Sequence, residues 1–207
     1  MKSLKNSLIF VLLLILSGSI AFSQADSVSI PYHISHPGYK AYIGAGGGIP
    51  GQSNIGFTVI HPSNFGGNIN LRYATFSNGS RGWFGPPPDE LTILSFNFVR
   101  EYLIKTPMVR FGLEAGLSYV VFNEKKNIEA NPIFFLIPIP SYSYDEVIER
   151  TAGLNFRVKF EVPFSLAFGL EASLVINLNP AHSLFGIDLG FTLGKVRDKR
   201  VRNLPYK

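Results

Sequence analysis

Apolar and polar side chains alternate with a period of two along most of the chain beyond residue 39, and no sustained period of 3.6 appears. In residues 152–162 one face reads Ala152, Leu154, Phe156, Val158, Phe160 and Val162, and the other Gly153, Asn155, Arg157, Lys159 and Glu161. Residues 164–178 set Phe164, Leu166, Phe168, Leu170, Leu174, Ile176 and Leu178 against Ser165, Gly169, Glu171, Ser173 and Asn177. Residues 109–121 and 185–194 behave alike. Successive strand side chains point to opposite faces, so each run predicts a strand with one apolar and one polar side. Weaker runs at 39–47, 53–60, 67–77 and 91–103 bring the set to eight. The first of these is rich in glycine, and the fourth changes phase around Asn97.

The connections take sides. Those at Pro62, Pro107 and Pro163 are tight, whereas 77–90 and 123–146 read as long loops on the opposite side, which also receives the short links 48–52 and 179–182. Short turns at one end and long loops at the other predict an all-β fold, an eight-stranded antiparallel up-and-down transmembrane β-barrel. A soluble ligand-binding barrel also alternates, so the composition of the polar face decides. It holds Gly, Ser, Asn and Thr with a few charges, which suits the inside of a narrow tube better than a solvated exterior. Arg72, Arg110, Arg157 and Lys159 are then expected to pair with Glu114, Glu161, Glu171 and Asp188 in the barrel interior, because unpaired buried charge is very costly. The opposite face is almost unbroken Leu, Ile, Val and Phe, as lipid contact requires. Tyr39, Tyr102, Tyr119 and Phe122 suit aromatic girdles near strand ends. Closure is compulsory, since open strand edges in hydrocarbon leave backbone groups unsatisfied.

The first residues alter the picture of where the chain resides. Lys2 and Lys5, an apolar run from Leu8 to Leu16 and then small residues follow the order of a secretory signal peptide. The expected organisation is a signal peptide at 1–23 (alternatively to 25), a periplasmic linker at 24–38, the barrel at 39–195 and a basic periplasmic tail at 196–207. The net charge of +5 arises from the ends, and the body between them is mildly acidic. A nucleic-acid binder needs a basic face on the fold itself, so that class is excluded. With no Cys there is no disulfide framework and no lipid-modified cysteine.

The strands "GLEAGLSY" and "GLEASLVI" and the closing "SLFGIDLGFTLG" resemble small outer-membrane β-barrel proteins, the porin-like, OmpX- and OmpA-transmembrane-domain-like family of Gram-negative bacteria. The resemblance implies a monomer in the cell outer membrane, in contact with outer-membrane lipids and lipopolysaccharide. It also implies recognition by the barrel assembly machinery during biogenesis through Ser183, Gly186, Leu189 and Phe191 of the last strand. Family members often end at an aromatic residue of that strand, whereas this chain continues past Gly194 with a basic stretch.

Three motifs invite chemistry. "GGGIPG" at 46–51 satisfies a dinucleotide fingerprint but leads into alternation rather than a helix, so it reads as a hairpin. His33 and His36 lack a third ligand nearby. His182 and Ser183 are adjacent, so on a strand they would point to opposite faces, which does not make a nucleophile–base pair. No catalytic residue, metal or cofactor is assigned. The apolar run in the loops, Trp83, Phe84, Phe134, Phe135, Ile137 and Ile139 with Tyr142 and Tyr144, has two readings: it folds back onto the barrel rim or the outer leaflet, or it forms a candidate surface for an unknown partner. The expected role is structural or interactive. Porin-like passage of small molecules is the alternative, and a lipid A-modifying enzyme a more remote one.

Overall fold

A computed structural model describes residues 38–76, 86–103, 109–132 and 140–196. The expected signal peptide, His33, His36 and most of the expected linker and tail lie outside these residues. So do Trp83, Phe84, Phe134, Phe135, Ile137 and Ile139.

Eight strands follow one another as β1 (Lys40–Ile49), β2 (Gln52–Ile60), β3 (Phe65–Phe76), β4 (Asp89–Leu103), β5 (Arg110–Pro132), β6 (Pro140–Pro163), β7 (Phe168–Leu178) and β8 (Leu184–Lys195). Each pairs antiparallel with the next, and β8 returns to β1 from Ala41↔Lys195 to Ile49↔Ile187, closing the barrel. The period-two pattern forces this shape, because every strand buries one face and leaves the other apolar and outward. One outward row runs Ile43, Phe57, Ile69, Phe96, Leu117, Leu154 and Leu178 across seven strands in register. The relation between burial and polarity is inverted relative to a water-soluble protein. Phe98 is 84% exposed and Leu117 and Leu189 67%, while Lys159 and Glu161 are 1% and Arg72 2% exposed.

Local chemistry sets the turns. Between β2 and β3 the Asn64 amide donates to the His61 carbonyl, and Asn64 takes the left-handed conformation that asparagine tolerates. Between β6 and β7 the Ser165 hydroxyl accepts from the Ala167 and Phe168 amides. These tight turns share one end of the barrel with the start of β1 and the end of β8. The links at 50–51 and 179–183 share the other with the ends of β3 and β5 and the starts of β4 and β6.

Four expectations need correction. The strand read at 164–178 begins at Phe168, with 164–167 in the turn. β4 does not change phase: its odd-numbered residues face inward from Asp89 to Glu101, with no break in pairing to β3 or β5. The apparent shift arises because Leu91 and Ile93 are apolar although inward, joining Ala74, Val120, Phe122 and Leu184 in a cluster at the loop end of the lumen. Phe122 therefore belongs to the interior and not to a girdle. Finally, most of 123–146 is not loop. β5 and β6 remain paired from Asn123↔Ile148 to Pro132↔Pro140, with a register shift between Lys126 and Glu129 where Asn127 has a positive φ. Apolar alternation stops there because neither face of this extension meets lipid, yet the backbone ladder continues.

Closure depends on close approach at the β1–β8 seam. A Cβ on Gly190 would stand 2.5 Å from the Ala45 carbonyl oxygen, and one on Gly46 2.6 Å from that of Leu189. Gly190→Val should therefore reduce the yield of heat-modifiable, compact protein on refolding in micelles and cost about 1–3 kcal/mol in denaturant titration, as overpacking does. At Gly67 an added Cβ would meet nothing nearer than 3.9 Å, so Gly67→Ala should refold normally.

Candidate functional site: the filled lumen and the projecting hairpin

The inner wall is built by the polar face of each strand. Its charges form one connected network and one separate pair. Lys40 Nζ lies 2.6 Å from Glu101, and Arg110 bridges Glu101 at 3.5 Å and Glu161 at 2.9 Å. The Tyr42 hydroxyl donates to Glu101 at 3.1 Å and accepts from Lys159 Nζ at 2.6 Å. Lys159 and Arg157 approach Glu114 at 3.2 and 3.9 Å, and Arg157 also pairs with Glu171. Thr192 donates to Glu161. Nearer the loop end, Arg72 meets Asp188 at 2.7 Å, with Asn54 donating to the same carboxylate and Gln52 accepting from Arg72. Five cations thus face five carboxylates, and burial on this scale is tolerable only with such pairing.

Glycines supply the room. A Cβ on Gly112 would lie 2.8 Å from the Lys159 side chain, whose stem fills the space. Register does the rest: Glu114 stands directly across from Arg157, and Arg110 across from Glu161.

A second motif spans the lumen. Thr58, Asn68, Asn97, Gly116, Asn155 and Asn177 occupy one inward cross-strand row. Their amides bond head to tail. Asn179 donates to Asn177 at 2.9 Å, Asn177 to Asn155 at 3.4 Å, and Asn155 to Asn97 at 3.1 Å across the gap left by Gly116. Asn97 then donates to Asn68 and Asn68 to Thr58. Such a chain satisfies buried amides that the hydrocarbon outside could not.

All eight residues expected in the interior charge network are buried there, and six are brought into one cluster. Sequence reasoning missed Lys40, Tyr42 and Glu101. Carrying the alternation of Ser95 and Asn97 on to Val99 and Glu101 would have placed Glu101 inward. Lys40 and Tyr42 share the phase of Gly44 and Gly46, which hid them because a glycine-rich run shows no contrast between its faces.

At the loop end the His182 ring lies over the apolar cluster, 4.3 Å from the Phe76 ring and stacked 4.8 Å from Phe122. Ser183 instead bonds through its hydroxyl to the Asn179 carbonyl, within the turn. The pair is a turn element and a lumen cap, not a nucleophile with its base. Tyr142 lines a cavity of about 280 Å³ with Phe76, Pro86, Pro87, Ile128 and Ala130, while Tyr144 is half-exposed beside Lys125. The Lys125 amide donates to Asp89 and its ammonium to Glu90 at 2.8 Å, tying the hairpin base to β4. Burial works against that charge, but the hydrogen bond and charge of Glu90 outweigh it, and the Lys125 pKa stands above its ordinary value.

Removing one partner of a buried pair should cost more than removing both. Asp188→Ala should lower stability in micelles by about 3–5 kcal/mol, and the double variant Arg72→Leu with Asp188→Leu should lie nearer the unaltered protein. Asn155→Ala breaks the amide chain and should cost about 1–3 kcal/mol, both read from denaturant midpoints.

No protein-family model matches the chain, and no curated protein matches it in sequence. Among solved structures it is similar to the N-terminal β-barrel domain of Pseudomonas aeruginosa OprF, at 13% identity over 76% of this chain and 98% of that one, with a TM-score of 0.48. It is also similar to Neisserial surface protein A, NspA, at 11% identity over 75% and 93% of the two chains, with a TM-score of 0.49. Ail, the attachment invasion locus protein of Yersinia pestis, matches at 8% identity over 75% and 94%, with a TM-score of 0.45. At these identities the similarity is one of fold.

Proposed function

We propose that the protein is a non-enzymatic barrel spanning the outer membrane, closed to solutes, that holds the β5–β6 hairpin outside the membrane for contact with a partner. The apolar exterior and compulsory closure support the membrane reading, and the leader read in the sequence supports export to that membrane. Strands β7 and β8, of 11 and 12 residues, suffice to cross the hydrocarbon at a tilt.

The observation that carries the surface role is the unequal strand length. β4 leaves β5 at Glu90↔Asn123, and β7 leaves β6 at Leu178↔Leu154, while β5 and β6 run on together. From Tyr144 to Gly153, β6 therefore has no second strand beside it among the described residues. An open edge offers backbone donors and acceptors to an incoming extended segment. Asp145, Glu146 and Glu149 outnumber Arg150 along it, and Ile148 is half-exposed, so a partner with basic and apolar side chains fits. The β5 side is blunted, because Asp89 occupies the Lys125 amide, and Pro86 and Pro87 line one cavity with Lys125, Ile128 and Ala130. Passage of small molecules requires a continuous water path. The salt bridges, the asparagine chain and the apolar cluster at the loop end oppose one.

Two measurements test this reading. In planar bilayers the purified protein should give no steady conductance steps. Cells displaying the unaltered protein should adhere to a surface coated with a basic, apolar peptide, and replacing residues 124–150 by a short turn should abolish that adhesion while leaving heat-modifiable migration intact. Steady channels, or adhesion indifferent to the trimming, would overturn the proposal.

A further inference from the structure

We propose that Arg100, framed by Phe65 and Tyr102, clasps the phosphate of a membrane phospholipid at the tight-turn end of the barrel. The inference rests on the membrane reading above. Arg100 lies on β4 with outward phase, following Thr92, Leu94, Phe96 and Phe98, and its cross-strand neighbour on β3 is Phe65. An outward charge is most costly at mid-membrane and tolerable at the interface, so Arg100 marks the level where hydrocarbon gives way to headgroups.

The side chain is held, not loose. Its Cζ lies 3.9 Å from the Phe65 ring centroid and 5.5 Å from that of Tyr102, and Nη1 donates to the Ser63 carbonyl at 3.1 Å. Cation–π contact with the two rings holds the guanidinium in place, but a ring face does not satisfy N–H donors as an oxygen does. A guanidinium carries five donors, and among the described residues the Ser63 carbonyl is its one hydrogen-bond acceptor. The donors left over belong to a side chain of outward phase, which on the membrane reading is the lipid side. At that depth the anionic oxygens belong to phosphodiesters, and the planar fork matches two of them at once. Tyr39, edge-on to His61 at 5.1 Å across the same β2–β3 turn, extends the aromatic frame along the rim.

A loosely snorkelling arginine would need neither the carbonyl tether nor the two rings. The prearranged position of the guanidinium points to a seat for one headgroup. Phosphatidylglycerol should bind best, since its phosphate has no ammonium of its own competing for it.

The test is native mass spectrometry of the full chain released from nanodiscs containing phosphatidylglycerol, with heat-modifiable migration confirming that each variant is folded. The unaltered protein should retain one more lipid than Arg100→Gln, with affinity about tenfold weaker in the variant, as expected for loss of a charge-assisted pair. Phe65→Leu and Arg100→Lys should fall between. Arg150→Gln, at the opposite end, should match the unaltered protein. Equal lipid retention by Arg100→Gln would overturn the proposal, and so would displacement of the lipid by millimolar inorganic phosphate, which would make the site one for a free anion. Should the protein fold without detergent and retain no lipid in any form, the membrane reading itself fails, a result distinct from a loss confined to Arg100→Gln.

Discussion

Charge neutralisation inside a tube too narrow for bulk water is the constraint on which the rest of this structure depends. Because the outer wall is apolar, the ionic side chains between its two rims turn toward the axis, and outward Arg100 stands at the rim. Once inside, each must find an opposite partner across the wall, since burial costs an unpaired charge its solvation. The five cations and five carboxylates meet this requirement through register. Arg110 and Glu161 are cross-strand neighbours, as are Glu114 and Arg157, while Glu161 and Glu171, also directly opposed, are separated electrostatically by the guanidiniums of Arg110 and Arg157 on either side. A slip of one residue in any of these strands would turn the charges into lipid. Pairing and register therefore enforce each other.

Much of this was legible in the sequence, and the exceptions have physical causes. Where a strand must separate lipid from lumen, the contrast between its faces is strong, and Arg157, Lys159, Glu161 and Glu171 could be placed by counting. Contrast vanishes in two situations. One is an inward position that is itself apolar, as at Leu91, Ile93 and Phe122, which disguised a continuous β4 as a broken one. The other is a strand that leaves the membrane, as in β5 beyond Asn123, where both faces are solvated and only the ladder reveals the element. The asparagine chain was invisible for a different reason. Its members are separated by more than a hundred residues from first to last, and a single residue type carries no sign of its partner.

The two ends of the barrel differ in construction. At the tight-turn end Tyr42, Ile60, Val99 and Val196 pack together, and the Val196 amide is tied to the Leu166 carbonyl, so the strand ends there are short and fixed. At the loop end an apolar cluster capped by the His182 ring closes the lumen, and above it rises a hairpin whose base is fastened by Asp89 and Glu90. Rigidity below and backbone exposure above suit a presenter better than a conduit.

The pairing of β1 with β8 makes the strand order circular, so that no strand is first or last in the folded wall. Ala41 and Lys195 are neighbours in space although the whole barrel separates them along the polypeptide. Covalent order is thus dispensable to the finished object: linking those two points and opening the backbone elsewhere at the loop end would yield a permuted chain with the same wall. What such a chain would alter is the sequence of events by which the wall is completed, because the seam is the one junction that cannot form until both extremities of the polypeptide have arrived.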